Sequence, residues 1–144
     1  MLKVLLAADG SEGSLRTARK LIEMAGWYKE PLDVELVNVH LPLPNVGGFA
    51  GVVVSREMVQ RLYSEEGGKA LAPIKKLLDE AKIKYTPHVL VGDIAQSIVD
   101  HAQKTGCGMI CMGARGTSTI ANLVLGSIAT KVLHLATVPV VLIR

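Results

Sequence analysis

Short apolar runs alternate along this chain with stretches whose apolar residues recur at helical spacing, and that alternation leaves few folds open. Lys3 to Ala8, Asp33 to His40, Tyr85 to Val91, Met109 to Met112 and Pro139 to Ile143 are each strand-length and rich in Val, Leu or Ile. A continuous apolar run of this kind fits a strand buried on both faces. Between them, Leu15, Ala18, Leu21, Ile22 and Ala25 are spaced for one helix, with Ser11 or Ser14 to cap it and Gly26 to end it. From Ser55 to Lys82 the pattern is helical again. Met58, Val59, Leu62, Leu71, Ile74, Leu77, Leu78 and Ala81 fall on one side, and Gly67, Gly68 and Pro73 are expected to weaken or kink the helix. Asp93 is placed as the N-cap of a third helix carrying Ile94, Ile98, Val99 and Ala102, which Gly106 terminates. Gly126 and Ser127 open a fourth that runs to about Leu135.

The order β-α repeated four times with a closing strand calls for an α/β fold, a mostly parallel sheet covered by helices on both faces. Right-handed crossovers make it doubly wound, and ligands of such sheets sit beyond the carboxyl ends of the strands, where strand order reverses. With 144 residues and no internal repeat or linker, residues 1–144 are expected to form one domain. A chain of this size buries roughly 70% of its unfolded surface. Only 3% of the residues are aromatic, so its core must be aliphatic.

Sixteen Lys and Arg oppose 13 Asp and Glu, and the basic residues are scattered, which gives no nucleic-acid footprint. The run Val4 to Ala8, flanked by Lys3 and Asp9, is too short for a membrane span or a secretory leader. The expectation is a soluble cytoplasmic protein with no membrane partner. Cys107 and Cys111, the two cysteines, read as lying about 13 Å apart on one strand, beyond disulfide reach, and are expected as buried reduced thiols.

The most informative segment follows the fourth strand. Gly113-Ala114-Arg115-Gly116 is followed by nine residues and then Gly126-Ser127 at a helix start. Glycines let backbone amides approach phosphate oxygens, a helix N-terminus offers unpaired amides and a positive dipole end, and Ser127 adds a hydroxyl. No P-loop lysine motif, Gly-x-Gly-x-x-Gly or Gly-x-Ser-x-Gly competes for these residues. Asp9, just past the first strand, faces the same switch point if the first and fourth strands are neighbours. There it can accept ribose hydroxyls, hold a phosphate-bound metal, or simply cap a helix. Val39, at the end of the second strand, can line an adenine slot.

At these residues the chain resembles the universal stress protein family, and within it the ATP-binding branch. The family pattern of Gly, two residues, Gly, nine residues and Gly-Ser/Thr is met by Gly113, Gly116, Gly126 and Ser127, and the opening VLLAADGS and closing VPVVLIR also fit. The resemblance spans essentially the whole chain. It implies a Rossmann-like, adenine nucleotide alpha-hydrolase-like sheet of order 3-2-1-4-5, a homodimer, and ATP, or ADP or AMP, with magnesium between the ends of the first and fourth strands. By position, Ala7, Ala8, Asp9 and Val39 would contact adenine and ribose. Met112, Gly113, Gly116, Gly126, Ser127, Ile128 and Ala129 would surround ribose and phosphates, and Arg115 would add positive charge. Many ATP-binding relatives carry Ser or Thr where this chain has Ala129, and often a basic residue near Asn122 or Leu123. One lost hydroxyl is worth about 1 kcal/mol, so weaker binding is expected.

Dimerisation has a second argument, since Val140 to Ile143 would be an exposed apolar edge strand in a monomer, suited to pairing with a second copy. Three functions follow: a nucleotide-dependent stress-response or signalling module, a slow ATPase or nucleotidyl transferase using Asp9, magnesium and His40 as base, and an interaction module that has lost its nucleotide. The histidines His40, His88, His101 and His134 show no metal-ligand spacing in sequence. They are expected on the surface or on helices.

Overall fold

The computed structural model describes residues 1–43, 55–116 and 124–144. Its elements are β1 (Leu2–Ala7), α1 (Glu12–Ala25), β2 (Leu32–His40), α2 (Arg56–Glu80), β3 (Lys84–Val91), α3 (Ile94–Thr105), β4 (Met109–Gly113), α4 (Ser127–Leu135) and β5 (Val140–Ile143). Every strand pairing is parallel and the sheet order is β3-β2-β1-β4-β5. Each expected strand and helix is present, in a doubly wound sheet.

Alternation along the strands divides the core. Val4 and Leu6 of β1 pack with Leu21 of α1 and with Leu71, Ile74 and Leu78 of α2. Leu5, between them, faces the other way, toward Ile98 and Val99 of α3 and Val132 of α4. Successive side chains of a strand point to opposite faces, so a central strand must be apolar at every position to be covered on both. Val4, Leu5 and Leu6 are all fully buried, and burying each leucine contributes about 1.5–3 kcal/mol.

The helix ends follow the local chemistry. Ser11 caps α1, its side chain accepting from the Ser14 amide, and Asp93 caps α3 through the Gln96 amide. Gly106 ends α3 in the left-handed conformation.

The helix α2 departs from expectation twice. It runs unbroken from Arg56 to Glu80 despite Gly67, Gly68 and Pro73. Gly67 is where the helix touches the sheet: a Cβ there would stand 2.5 Å from a methyl of Val89, so only glycine permits the close approach. Leu71, Ile74 and Leu78 then hold the helix down, which offsets the hydrogen bond that Pro73 cannot donate. The second departure is that Met58 and Leu62, expected on the buried face, are 61% and 45% exposed. A 25-residue helix is about 38 Å long, while the eight-residue β3 spans about 26 Å. The first turns of α2 therefore outrun the sheet.

The cysteines are buried and free. Cys107 precedes β4 and Cys111 lies within it, where burial pushes the Cys111 thiol up to about 12. No described helix is long and apolar enough to cross a membrane.

Candidate functional site

The strands β2 and β4 leave β1 in opposite directions across the sheet, which puts the switch point at the carboxyl end of β1. A pocket of about 550 Å³ opens there, within the usual range of about 300–1,000 Å³ for small-molecule sites. Ala7, Ala8, Asp9, Val39, Met112, Gly113, Arg115, Gly116, Gly126, Ser127, Ile128 and Ala129 all line it. The twelve positions singled out in the sequence are thus brought to one cavity. Asn122 and Leu123 lie outside the described residues.

The glycines make the floor close-packed. The amide of Ala114 donates to the carbonyl of Ile143 on β5, and the Gly126 amide donates to the Ala114 carbonyl, both at 2.7 Å. A Cβ on Gly126 would stand 3.3 Å from the Gly116 amide nitrogen and 3.4 Å from the Arg115 Cα. The missing side chain lets the start of α4 rest directly on the loop after β4. As N-cap, Gly126 has no side chain to satisfy the first amides of α4, and no side-chain cap bond is made there. Those amides and the helix dipole remain available to an anion at the pocket.

Asp9 is anchored on one oxygen. Its Oδ1 accepts from the Ser11 amide at 2.9 Å, the Ser11 hydroxyl at 2.5 Å and the Ser14 hydroxyl at 2.6 Å. The Ser14 hydroxyl in turn accepts from the Asp9 amide at 2.8 Å. Partial burial acts to raise the Asp9 pKa, but the bonds from Ser11 and Ser14 outweigh it and hold the carboxyl below its ordinary value. The second oxygen, Oδ2, stands 3.8 Å from where a Cβ on Gly116 would be. The hydrogen bonds of the turn therefore fall on Oδ1.

Five further lining residues escaped the sequence reading: Ser11, Ser14, Val37, Ile94 and Ile98. Val37 lies two residues before Val39 on the same face of β2, and Ile94 and Ile98 are one turn apart on α3. That periodicity was the available signal. With Met112 they give the pocket an apolar part, alongside the polar groups of Asp9, the glycine loop and Ser127. Asn38, a lone amide in the run LVNVH, was also missed. It is buried and its Nδ2 donates to the Ala8 carbonyl at 2.8 Å, which fixes the chain where it leaves β1.

Two expectations change. His40 does not line the pocket; its ring lies 5.5 Å from that of Tyr63 on α2, because β2 turns it away from the β1–β4 switch point. His88 and His101 were expected without metal-ligand spacing, yet their side chains meet at Glu35.

Fold and pocket together define a doubly wound α/β protein with an anion-receptive helix start at its switch point. The model of the universal stress protein family matches residues 1–144, and the chain belongs to that family. Universal stress protein MJ0531 of Methanocaldococcus jannaschii is 31% identical over 144 residues, covering 99% of this chain and 81% of the relative. Among solved structures, that of MJ0577, from the same organism, superposes with a TM-score of 0.79 at 22% identity, covering 99% and 94% of the two chains. A universal stress protein from Archaeoglobus fulgidus, solved in complex with dAMP, superposes with a TM-score of 0.64 at 22% identity, covering 100% and 98%.

Proposed function

We propose that this chain binds an adenine nucleotide, ATP or the related ADP or AMP, in the switch-point pocket, and acts as a nucleotide-dependent stress-response or signalling module. The observation that carries this reading is the uncapped start of α4 lining a cavity that is also lined by apolar side chains of β2 and α3. Val37, Val39, Ile94 and Ile98 suit an adenine ring, while the amides after Gly126, the Ser127 hydroxyl and Arg115 suit phosphates. The dAMP complex of the Archaeoglobus fulgidus relative supports the same ligand class.

Asp9 Oδ2 is free of the turn and would take either ribose hydroxyls or a phosphate-bound magnesium. A hard cation of that kind uses one or two carboxylates together with phosphate oxygens. Among the described residues, Asp9 is the one carboxylate lining the pocket and no histidine lines it, which favours binding over chemistry. The nucleotide would act by being present or absent.

A second copy of the chain is the proposed protein partner. The strand β5 forms one edge of the sheet, and its side chains are only half-buried. Pairing through Val140 to Ile143 would cover them.

Calorimetric titration with ATP, ADP and AMP tests the ligand, and mass spectrometry of anything released from the purified protein tests it independently. Binding at micromolar to submillimolar concentration is expected. An absence of binding by all three at millimolar ligand overturns the proposal. Sedimentation equilibrium at micromolar protein tests the dimer, and a monomer there overturns that part.

A further inference from the structure

Away from the nucleotide pocket, three potential metal ligands from three elements converge. Glu35 lies on β2, His88 on β3 and His101 on α3. The Nε2 of His88 lies 2.5 Å and the Nε2 of His101 lies 3.1 Å from the same oxygen, Oε2 of Glu35. One potential ligand atom from each residue falls within 4.8 Å of those of the other two, and the imidazole centroids are 4.3 Å apart. None of the three lines the nucleotide pocket.

We infer that Glu35, His88 and His101 form a binding site for a divalent transition-metal ion of the zinc class. Two imidazoles and one carboxylate are a donor set suited to zinc, which takes nitrogen and carboxylate oxygen at about 2.0–2.2 Å. Two such ligands at a tetrahedral angle are about 3.3–3.5 Å apart. The two nitrogens need to withdraw from Oε2 by under about 1 Å to admit an ion at that spacing.

The surroundings suit the assignment. The Glu35 side chain is 7% exposed and that of His101 11%, whereas that of His88 is 28% exposed. The site is held from within and reached from the His88 side, where a water or an exogenous donor can complete four-coordination. The other carboxylate oxygen, Oε1, lies 3.6 Å from the Lys3 ammonium, so Lys3 orients the carboxylate while Oε2 remains directed at the histidines. Outer partners of this kind fix the geometry of a ligating group. An ion here would tie α3 to β2 and β3 by bonds that the hydrophobic core does not supply.

The test uses the full chain, freed of metal with a chelator and titrated with Zn²⁺ by calorimetry and with Co²⁺ by visible absorption. One equivalent is expected to bind, with the intense d–d bands of a four-coordinate cobalt centre. Loss of an outer partner alone typically weakens metal binding by about 10–100-fold, so Glu35→Gln, His88→Ala and His101→Ala should each weaken it by at least that much. His134→Ala, at an exposed position of α4, should not. Glu35→Gln preserves the shape of the side chain, and circular dichroism identifies any variant that fails to fold. The inference is overturned if neither ion binds below millimolar concentration, or if folded Glu35→Gln and His101→Ala bind as the parent does. Nucleotide titration of the same samples keeps this outcome separate from the pocket reading.

Discussion

The amide of Gly126 donates to the carbonyl of Ala114 at 2.7 Å, and this bond seats the start of α4 on the loop that leaves β4. Gly126→Val would press a branched side chain against the Gly116 amide and the Arg115 Cα, which lie 3.3 and 3.4 Å from its Cβ position. Backbone on both sides cannot rotate away as a flexible side chain would. Nucleotide affinity is expected to fall by at least about tenfold, with a stability loss of about 1–3 kcal/mol. Parallel nucleotide titration and urea unfolding of parent and variant check both numbers. Unchanged affinity would separate the glycine loop from the ligand.

Asp9 makes a pH prediction through its hydrogen bonds. Its carboxyl is held below the ordinary value in the folded protein by Ser11 and Ser14. A depressed folded pKa gives stability that is complete above the unfolded pKa of about 3.9 and is lost as pH falls through the folded one. The gap in Tm between the parent and Asp9→Ala should therefore be constant from pH 5 to 8 and close below about pH 4. Thermal melts across that range provide the check, and a gap that changes between pH 6 and 8 would point to another group.

How far the fold could be read in advance differs from element to element, for physical reasons. Leu5 and its neighbours form a run that only a doubly covered strand accommodates, so β1 was legible on its own. The spacing of Gly113, Gly116 and Gly126 was legible because backbone chemistry demands glycine there and little else does. Met58 and Leu62 misled because periodicity reports a helix face but not where the sheet beneath it ends. Glu35, His88 and His101 were unreadable as a group. Glu35 and His101, 66 positions apart in sequence, are brought together by strand order and crossover geometry, which leave no spacing signature.

Gly67 and Val89 should show strong coupling. Replacing a helical glycine by alanine ordinarily stabilises by about 1 kcal/mol, but here the added Cβ would stand 2.5 and 2.7 Å from the two Val89 methyls. Overpacking of that kind costs about 1–3 kcal/mol, so Gly67→Ala alone is expected to destabilise. In a Val89→Ala background, where only the Cβ at 3.2 Å remains, the same change should cost much less or become neutral. A double-mutant cycle by urea denaturation measures the difference; additive effects would mean that α2 does not approach β3 as closely as described.

Ala129 sets the last expectation, because its position serves two masters. It lines the pocket in the first turn of α4, yet it is only 2% exposed and packs in the core cluster with Met112 and Val132. Ala129→Ser adds a hydroxyl at the pocket floor. Without ligand that group must find a partner among apolar neighbours, and burying it unpaired costs about 1–3 kcal/mol, so the unliganded variant should melt earlier. With nucleotide bound, a phosphate oxygen supplies the partner, and the hydrogen bond is worth about 1 kcal/mol. ATP should accordingly bind more tightly, by under about tenfold, while adenosine, which has no phosphate, gains nothing. Titrating parent and variant with both ligands distinguishes these cases. Equal gains for ATP and adenosine would place the hydroxyl beside the nucleoside, and no gain for either would leave Ala129 as a core residue whose side chain the ligand does not reach.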